Sequence, residues 1–492
     1  MKSQFKFTGI YSSKLPLVAL LSASLFMASC KKDSGVATPE GNFNRSSKAL
    51  YPDTRTPGGT VVTVSGVLTG TINWTAGNTY RLNGPVYIDS LATLNIAAGT
   101  FVKGLDKTNT TTGFPSYLVI RRGGKLNING TATNPVVFTS QYAAGSRAEG
   151  DWGGIVILGR APVNNVNPKI EGIPAAQIPA ALAGKDAIGY GGAIEADNSG
   201  SIRYLRIEFA GEVITEGNEL NGLTLGGVGS GTTLDHVQVS YGADDAFEFF
   251  GGSVNATNLI SYLNDDDDFD FDQGYQGSIQ FAVAQKDPRT AFPRSGNPNG
   301  IESNNITSPI VTGGAFSTRL TTPVLSNFSI LGDTSSTTAP SVGVGTVFRV
   351  GSSGVFKNSV VGGFATGANV STADATLIYT DNLVHYFTTS GVPSGNTTYT
   401  GSASNPFRLH APYNITTPEW RFNNVSPLLS PARNGWNATG LTVSHPGGAL
   451  SAFTNTTYRG AFGDRATTTR WDGPASGSTS TWASYEPTTN TY

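Results

Sequence analysis

The chain has 492 residues, with 32 Lys and Arg against 34 Asp and Glu, for a formal net charge of -2. That balance leaves no basic footprint for nucleic acid and no strong whole-protein field, so any electrostatics must be local. Charged residues are only 13% of the chain and Gly numbers 61; with short apolar runs punctuated by Gly, Asn and Pro, this excludes a helical protein and predicts many short strands.

Lys2, Lys6 and Lys14 precede an apolar run, Leu15–Met27, that is too short for an ordinary membrane span. The run ends in Met27-Ala28-Ser29-Cys30, which resembles a bacterial lipobox. The resemblance implies a lipoprotein signal peptide over 1–29 and a lipid on Cys30, the single cysteine of the chain. One cysteine also excludes an intramolecular disulfide. Residues 30–60 are polar, carry Pro and Gly, and cannot bury a core. They read as a flexible tether reaching on the order of 30 Å. The expected location is the cell envelope, held to the outer membrane through the lipid and facing outward.

From 61 a strand rhythm begins and runs to 411. Leu94 and Ile96 correspond to Leu126 and Ile128, and Phe101-Val102 to Val137-Phe138. Three short strands per repeat, with turns between, is the layout of a parallel β-helix. Gly153-Gly154 then lead into a buried strand over 155–158. Residues 163–200 break the period; the Pro- and Ala-rich 173–184 allows a helical turn, and the segment reads as a loop projecting from the solenoid. The rhythm resumes at 201. Later, Asn327 aligns with Asn358, and Asp381-Asn382 follows as a third member, as in side-chain ladders at coil corners. Residues 412–492 hold Trp420, Trp436, Trp471 and Trp482 and read as the last coils and a cap over the open end, part of the same domain.

Residues 233–277 carry two copies of one pattern. A shift of 22 places Asp244, Asp245, Phe247, Glu248, Phe249 and Gly252 on Asp266, Asp267, Phe269, Asp270, Phe271 and Gly274. A period in the low twenties suits one coil of a β-solenoid, whose coils bury their apolar faces only by stacking. Side chains alternate across a strand, so Phe247, Phe249, Phe269 and Phe271 share the inner face. Glu248, Asp270 and Asp272 share the other and point outward. Adjacent coils lie about 4.8 Å apart, so the carboxylates stack as an acidic ladder. They must spread into water as a solvated edge, share a proton or bind a cation. Hard oxygen ligands on a rigid frame suit Ca²⁺. The expected ion ligands are Asp265, Asp266, Asp267, Asp268 and Asp270. The expected ligand-contacting residues are Asp244, Asp245, Glu248, Asp270 and Asp272.

Several stretches carry a family resemblance: WGGIVILG (152–159), SGSIRYLRIEFAG (199–211), NGLTLGGVGSGT (221–232), DDAFEFFGG (244–252), DDFDFDQGYQG (267–277) and YRGAFGD (458–464). The chain resembles uncharacterised Bacteroidetes-type surface lipoproteins. The resemblance implies an all-β, right-handed parallel β-helix of the pectate-lyase type and an envelope location, without a reaction.

The expected function is a non-catalytic binding or surface-interaction module, with a polysaccharide as ligand and Ca²⁺ in the ladder. A polysaccharide lyase or glycoside hydrolase using the same carboxylates is the first alternative; Arg203 and Arg206 would be candidate bases for a lyase. A structural or adhesion protein is the second. His236, His385, His410 and His445 lack zinc-ligand spacing, and His236 reads as a coil-edge residue.

Overall fold

A computed structural model describes Asp53 and residues 55–492 apart from 216–217, 288–297, 306–318, 333–342, 402–404, 424–434, 442–452, 467–469 and 474–481. The expected signal peptide over 1–29, Cys30 and most of the expected tether lie outside the described residues. Among the described residues no helix is long and apolar enough to cross a membrane.

The strands of the coils form one 24-stranded sheet in which each pairs in parallel with its equivalent one coil away, while Val213–Thr215 with Asn218–Glu219 and Leu409–Ala411 with Glu419–Phe422 form two small antiparallel pairs. The protein is an all-β, right-handed parallel β-helix. The sequence correspondences hold residue for residue: Leu94 pairs with Leu126, Ile96 with Ile128, Phe101 with Val137 and Val102 with Phe138. Short β-branched and aromatic strands can sit here because both flanking coils cover them and every second side chain enters one continuous core.

The corners are built from residues with positive φ. His236 (56°), Asn258 (60°), Phe281 (64°), Asn327 (58°), Asn358 (54°) and Asp381 (62°) occupy the same corner on successive coils. Asn and Asp tolerate this left-handed region because a short polar side chain bonds locally. The Asn ladder sits elsewhere than expected. Asn127 donates to Asn95 at 2.9 Å and Asn95 to Asn73 at 3.0 Å, on the first coils. Asn327 and Asn358 bond along the axis to other partners, Gln280 (3.0 Å) and Ser326 (3.2 Å) on the preceding coils, and also bind the C-terminal segment, at the Gly460 carbonyl (3.1 Å) and at Asn437 (2.8 and 3.0 Å).

The insertion does not project. Its two 3-10 turns, Ala175–Gln177 and Ala180–Leu182, lie where Pro and Ala suggested a helical turn. Ile170, Ile173, Leu182 and Tyr190 fold back onto the outer face of one sheet, against Tyr87, Tyr117, Val119, Val156, Leu158 and Phe250. The reason is in the strands: Gly154–Leu158 is apolar on both faces, so the outer face also needs cover. A Cβ on Gly226 would meet the Tyr190 ring at 2.9 Å, which is why the roof can lie flat there.

The aromatic C-terminal segment is present, and it runs along the flank of the coils. Trp420, Phe462, Trp482 and Tyr485 pack on Phe209, Tyr241, Tyr262, Leu263 and Leu331. Ser484 exchanges two hydrogen bonds with the Gln238 side chain, at 2.7 and 2.9 Å. Tyr492 stacks on Phe101 and hydrogen-bonds Glu208 on the early coils.

Candidate functional site

The acidic ladder is built on four consecutive strands of one sheet: Leu223–Gly226, Phe247–Phe250, Phe269–Asp272 and Ile301–Ser303. Register places Thr224, Glu248, Asp270 and Glu302 in one column, with Val347 after them. The alternate column is apolar and faces the core. Phe247 stacks on Phe269 with centroids 5.3 Å apart and planes 7° apart, and Phe249 on Phe271 at 5.1 Å. Tyr275 closes the second stack at 4.8 and 5.3 Å. This aromatic column fixes the register, and the register stacks the carboxylates. Glu302 was missed in the sequence because it lies 32 residues beyond Asp270 rather than 22. The signal that finds it is Asn299-Gly300-Ile301-Glu302, a copy of Asn221-Gly222-Leu223-Thr224 three coils earlier.

A second column runs beside the first. Asp245 Oδ1 accepts the Asp267 backbone N–H at 3.0 Å, and Asp267 Oδ1 accepts that of Asn299 at 2.5 Å. Asn299 Oδ1 accepts the Val344 N–H at 2.9 Å. Each acid in this column is thus oriented by the backbone of the next coil. The two columns bring Asp245, Glu248 and Asp270 together, and likewise Asp267, Asp270 and Glu302. Asp244, Asp245 and Asp266 form a third group. Within each group the carboxylate oxygens lie within 4.8 Å of one another.

The expectation of a solvated acidic edge is corrected. Asp245, Glu248, Asp267, Asp270 and Glu302 are only 3% to 7% exposed. They do point away from the aromatic core, and the insertion packs beside them on the same outer face, at Val156, Leu158 and Phe250. The Tyr190 hydroxyl donates to the Gln273 side chain at 2.6 Å, and the Asn164 backbone N–H donates to the Gln273 carbonyl at 2.9 Å. Burial, and then the neighbouring carboxylates Glu171, Asp245 and Asp270, push Glu248 well above the ordinary carboxylate range. Burial and then Glu302 do the same to Asp267 and Asp270.

Hydrogen-bond donors hold the two ends of the ladder. The Asn221 side chain donates to Glu248. Asn299 (3.0 Å), Asn304 (2.7 Å) and Arg349 converge on Glu302. The middle rung differs: Asp270 Oδ1 is buried and has no hydrogen-bond partner among the described residues.

The expected ion ligands do not act as one run. Asp265–Asp268 lie in the bend that precedes the strand Phe269–Asp272, and the bend separates them. Asp266 joins Asp244 and Asp245, while Asp267 and Asp270 join Glu302. Asp268 points the other way, into a wholly buried ion pair with Lys286 at 3.2 Å, and accepts the Ser261 hydroxyl. Asp265 stands outside the three groups, and its N–H bonds the Gly242 carbonyl at 2.9 Å. Asp272 is half-buried beside the ladder and accepts the Gln273 N–H at 2.5 Å. Of the expected ligand-contacting residues, Asp244, Asp245, Glu248 and Asp270 are buried, out of reach of a polymer lying on the coils. Arg203 and Arg206 lie on the strand Gly200–Glu208, which is not one of the four ladder strands, and pair with Asp235 (2.7 Å) and with Asp53 (2.5 Å). His236 is a corner residue, stacked on Tyr204 at 4.5 Å.

The donor set of the ladder is carboxylate oxygen alone, on a frame fixed by strand register. Oxygen-only sites with negative charge fit a hard divalent cation, and Ca²⁺ takes six to eight such ligands. The buried, unpartnered oxygen of Asp270 fits the same reading, because a carboxylate is costly to bury without a partner.

The fold and its outer acidic ladder define a parallel β-helix protein of the pectate-lyase-like class. Residues 66–406 match the family described as pectate-lyase like beta helix domain, and the chain belongs to that family. No curated protein matches the chain. Among solved structures it is similar to a crystal structure of the Dettilon tailspike protein at 13% identity, over 65% of this chain and 62% of that one, with a TM-score of 0.21. A similarity that low adds nothing to the fold assignment.

Proposed function

We propose that the protein is a lipid-anchored module of the cell envelope that binds a polysaccharide without turning it over, with Ca²⁺ in the acidic ladder setting the binding-competent shape. The observation that carries the calcium reading is Asp270, a buried carboxylate with an unpartnered oxygen between two other buried acids. The pectate-lyase-like family supports carbohydrate as the ligand class. The N-terminal lipobox supports the anchor at Cys30 and the outer-membrane location. Under this reading Ca²⁺ acts through the coils rather than by touching the sugar. A lyase or hydrolase would need these carboxylates open to the polymer, and their burial weighs against that use.

The test is affinity electrophoresis of the protein through gels containing single polysaccharides, with Ca²⁺ and with chelator. Retardation by one polymer that chelator abolishes supports the reading and names the ligand class. Retardation that ignores chelator removes calcium from the binding role. Shortening of the polymer during the run replaces the binding module with the enzyme.

A further inference from the structure

We infer that two copies of this chain pair end to end through their first coils, the free edges of Thr60–Leu68 and Thr71–Trp74 meeting those of the second copy about a twofold axis. The inference is independent of the calcium and polysaccharide readings.

The first coil is open on its outer side. Thr60–Leu68 pairs with Asn78–Ile88, and Thr71–Trp74 with Thr93–Ala97; among the described residues neither has a strand on its other edge. Such an edge is a row of backbone donors and acceptors ready for another strand. The core is open there as well. Val62, Leu68 and Ile72 pack on the core yet are only partly buried, whereas their register partners Tyr80, Ile88 and Leu94, one coil in, are buried. The Asn ladder ends at the same place. Asn73 accepts from Asn95 at 3.0 Å, and its own amide N–H groups have no partner among the described residues.

The sequence does not guard this edge. Solitary edge strands are blunted by Lys, Pro or other charges. Residues 60–74, TVVTVSGVLTGTINW, contain no charged residue and no Pro, and Val61 is 53% exposed. The arriving chain also leaves the edge clear. Counting inward from Thr60–Leu68, the strands are Asn78–Ile88, Phe101–Gly104, Val136–Ser140 and Gly200–Glu208. Asp53 is docked at Arg206 on the last of these, Arg55 donates to the Pro135 carbonyl at 2.7 Å, and the Gly58 carbonyl accepts the Thr79 hydroxyl at 3.2 Å. The chain thus reaches the first coil along the flank rather than across its end.

The occupant that fits is a second copy, like end to like end. An uncharged edge recognises through backbone and small apolar side chains, and a twofold contact needs a surface complementary to itself. The other end of the solenoid does not match it. There the last edge strands are Ile378–Thr380 and Thr397–Thr400, three and four residues long, against nine in Thr60–Leu68. Head-to-tail stacking would leave much of the long edge uncovered. Antiparallel pairing of two long edges can cover it and closes at two copies.

Sedimentation velocity of the full chain carrying Cys30→Ser, which keeps lipid out of the measurement, tests this. The expected result is a dimer and nothing larger. Val61→Lys places a charge on each exposed edge, and the twofold axis brings the two charges together; this variant should sediment as a monomer, with the circular dichroism of the unsubstituted chain. Thr63→Lys, exposed on the same strand, should do the same and keeps the test decisive if Val61→Lys fails to fold. A chain that stays monomeric up to about 100 µM, where any homodimer of micromolar affinity would be assembled, overturns the inference. So does an open series of larger assemblies, which is head-to-tail growth, and so does a dimer that folded Val61→Lys and Thr63→Lys both leave intact.

Discussion

Glu248 and Asp270 are register partners on adjacent coils, and both are buried on the side away from the aromatic core. At about 4.8 Å two bare carboxylates repel by about 3.5 kcal/mol at an effective dielectric of 20. A cation between them turns that repulsion into a bond between coils. Asp270→Asn should therefore change sign with conditions. In Ca²⁺ it lowers the midpoint of thermal unfolding, and in chelator it raises it. Scanning calorimetry of both proteins in both buffers checks this, and a variant destabilised equally in the two buffers would remove the ion from the account.

The aromatic column that sets the register should be the costliest part of the core to cut. Phe269 lies between Phe247 and Phe328, with centroids 5.3 Å from each, and is fully buried. Phe269→Ala should cost about 3–5 kcal/mol, the range for large aromatic deletions. Urea unfolding followed by fluorescence measures it. Ca²⁺ affinity should fall with it, because the same strand carries Asp270.

Lys286 and Asp268 form an ion pair with neither side chain exposed. Removing one member of such a pair costs about 3–5 kcal/mol, because a buried charge loses its counterion. Lys286→Met should show that loss. The double substitution Lys286→Met with Asp268→Leu should recover most of it. A double variant as unstable as the single one would mean that packing, rather than charge, sets the cost.

Asp53, in the stretch expected to be a tether, docks on the coils through an ion pair with Arg206. Burial alone would raise its carboxyl; the Arg206 and Arg55 guanidinium groups outweigh that and hold it well below the usual carboxylate range. A depressed folded value means that docking is stabilised at neutral pH, and that the stabilisation is lost as pH falls below the ordinary carboxylate value of about 4. Charge-assisted hydrogen bonds of this kind contribute about 1.5–3 kcal/mol. Protease cleavage near Asp53 should therefore quicken in acid. Asp53→Asn should show the faster cleavage already at neutral pH.

Much of this was legible in the sequence, and what was not has physical causes. The repeat of 22 residues placed Asp270 on Glu248 and the Phe residues inside, because one coil of chain is one unit of both pattern and structure. Glu302 escaped because extra chain intervenes between its strand and the previous one, so spacing failed where the local motif would have succeeded. The separation of Asp268 from Asp267 was not legible, because both lie in the bend before the strand, where no period-two rule applies. Burial of the ladder was not legible, since no local pattern announces that Tyr190 and Asn164, from an insertion far upstream, fold back onto Gln273 beside it. The course of the C-terminal segment was hidden for a similar reason. Gln238 meets Ser484 across 246 residues, and no local pattern announces such a contact.

That last contact changes how the molecule should come apart. A plain solenoid is quasi-one-dimensional, each coil answering only to its neighbours, so it can fray inward from either end. Here Tyr492 lies on Phe101 and Glu208, Ser484 on Gln238, Thr454 on Gln280 and Asn437 on Asn358. The final stretch of chain thus bolts early, middle and late coils together. Loosening one end strips contacts from a segment that also holds the other, and a stack of rungs that could unzip becomes an all-or-none object.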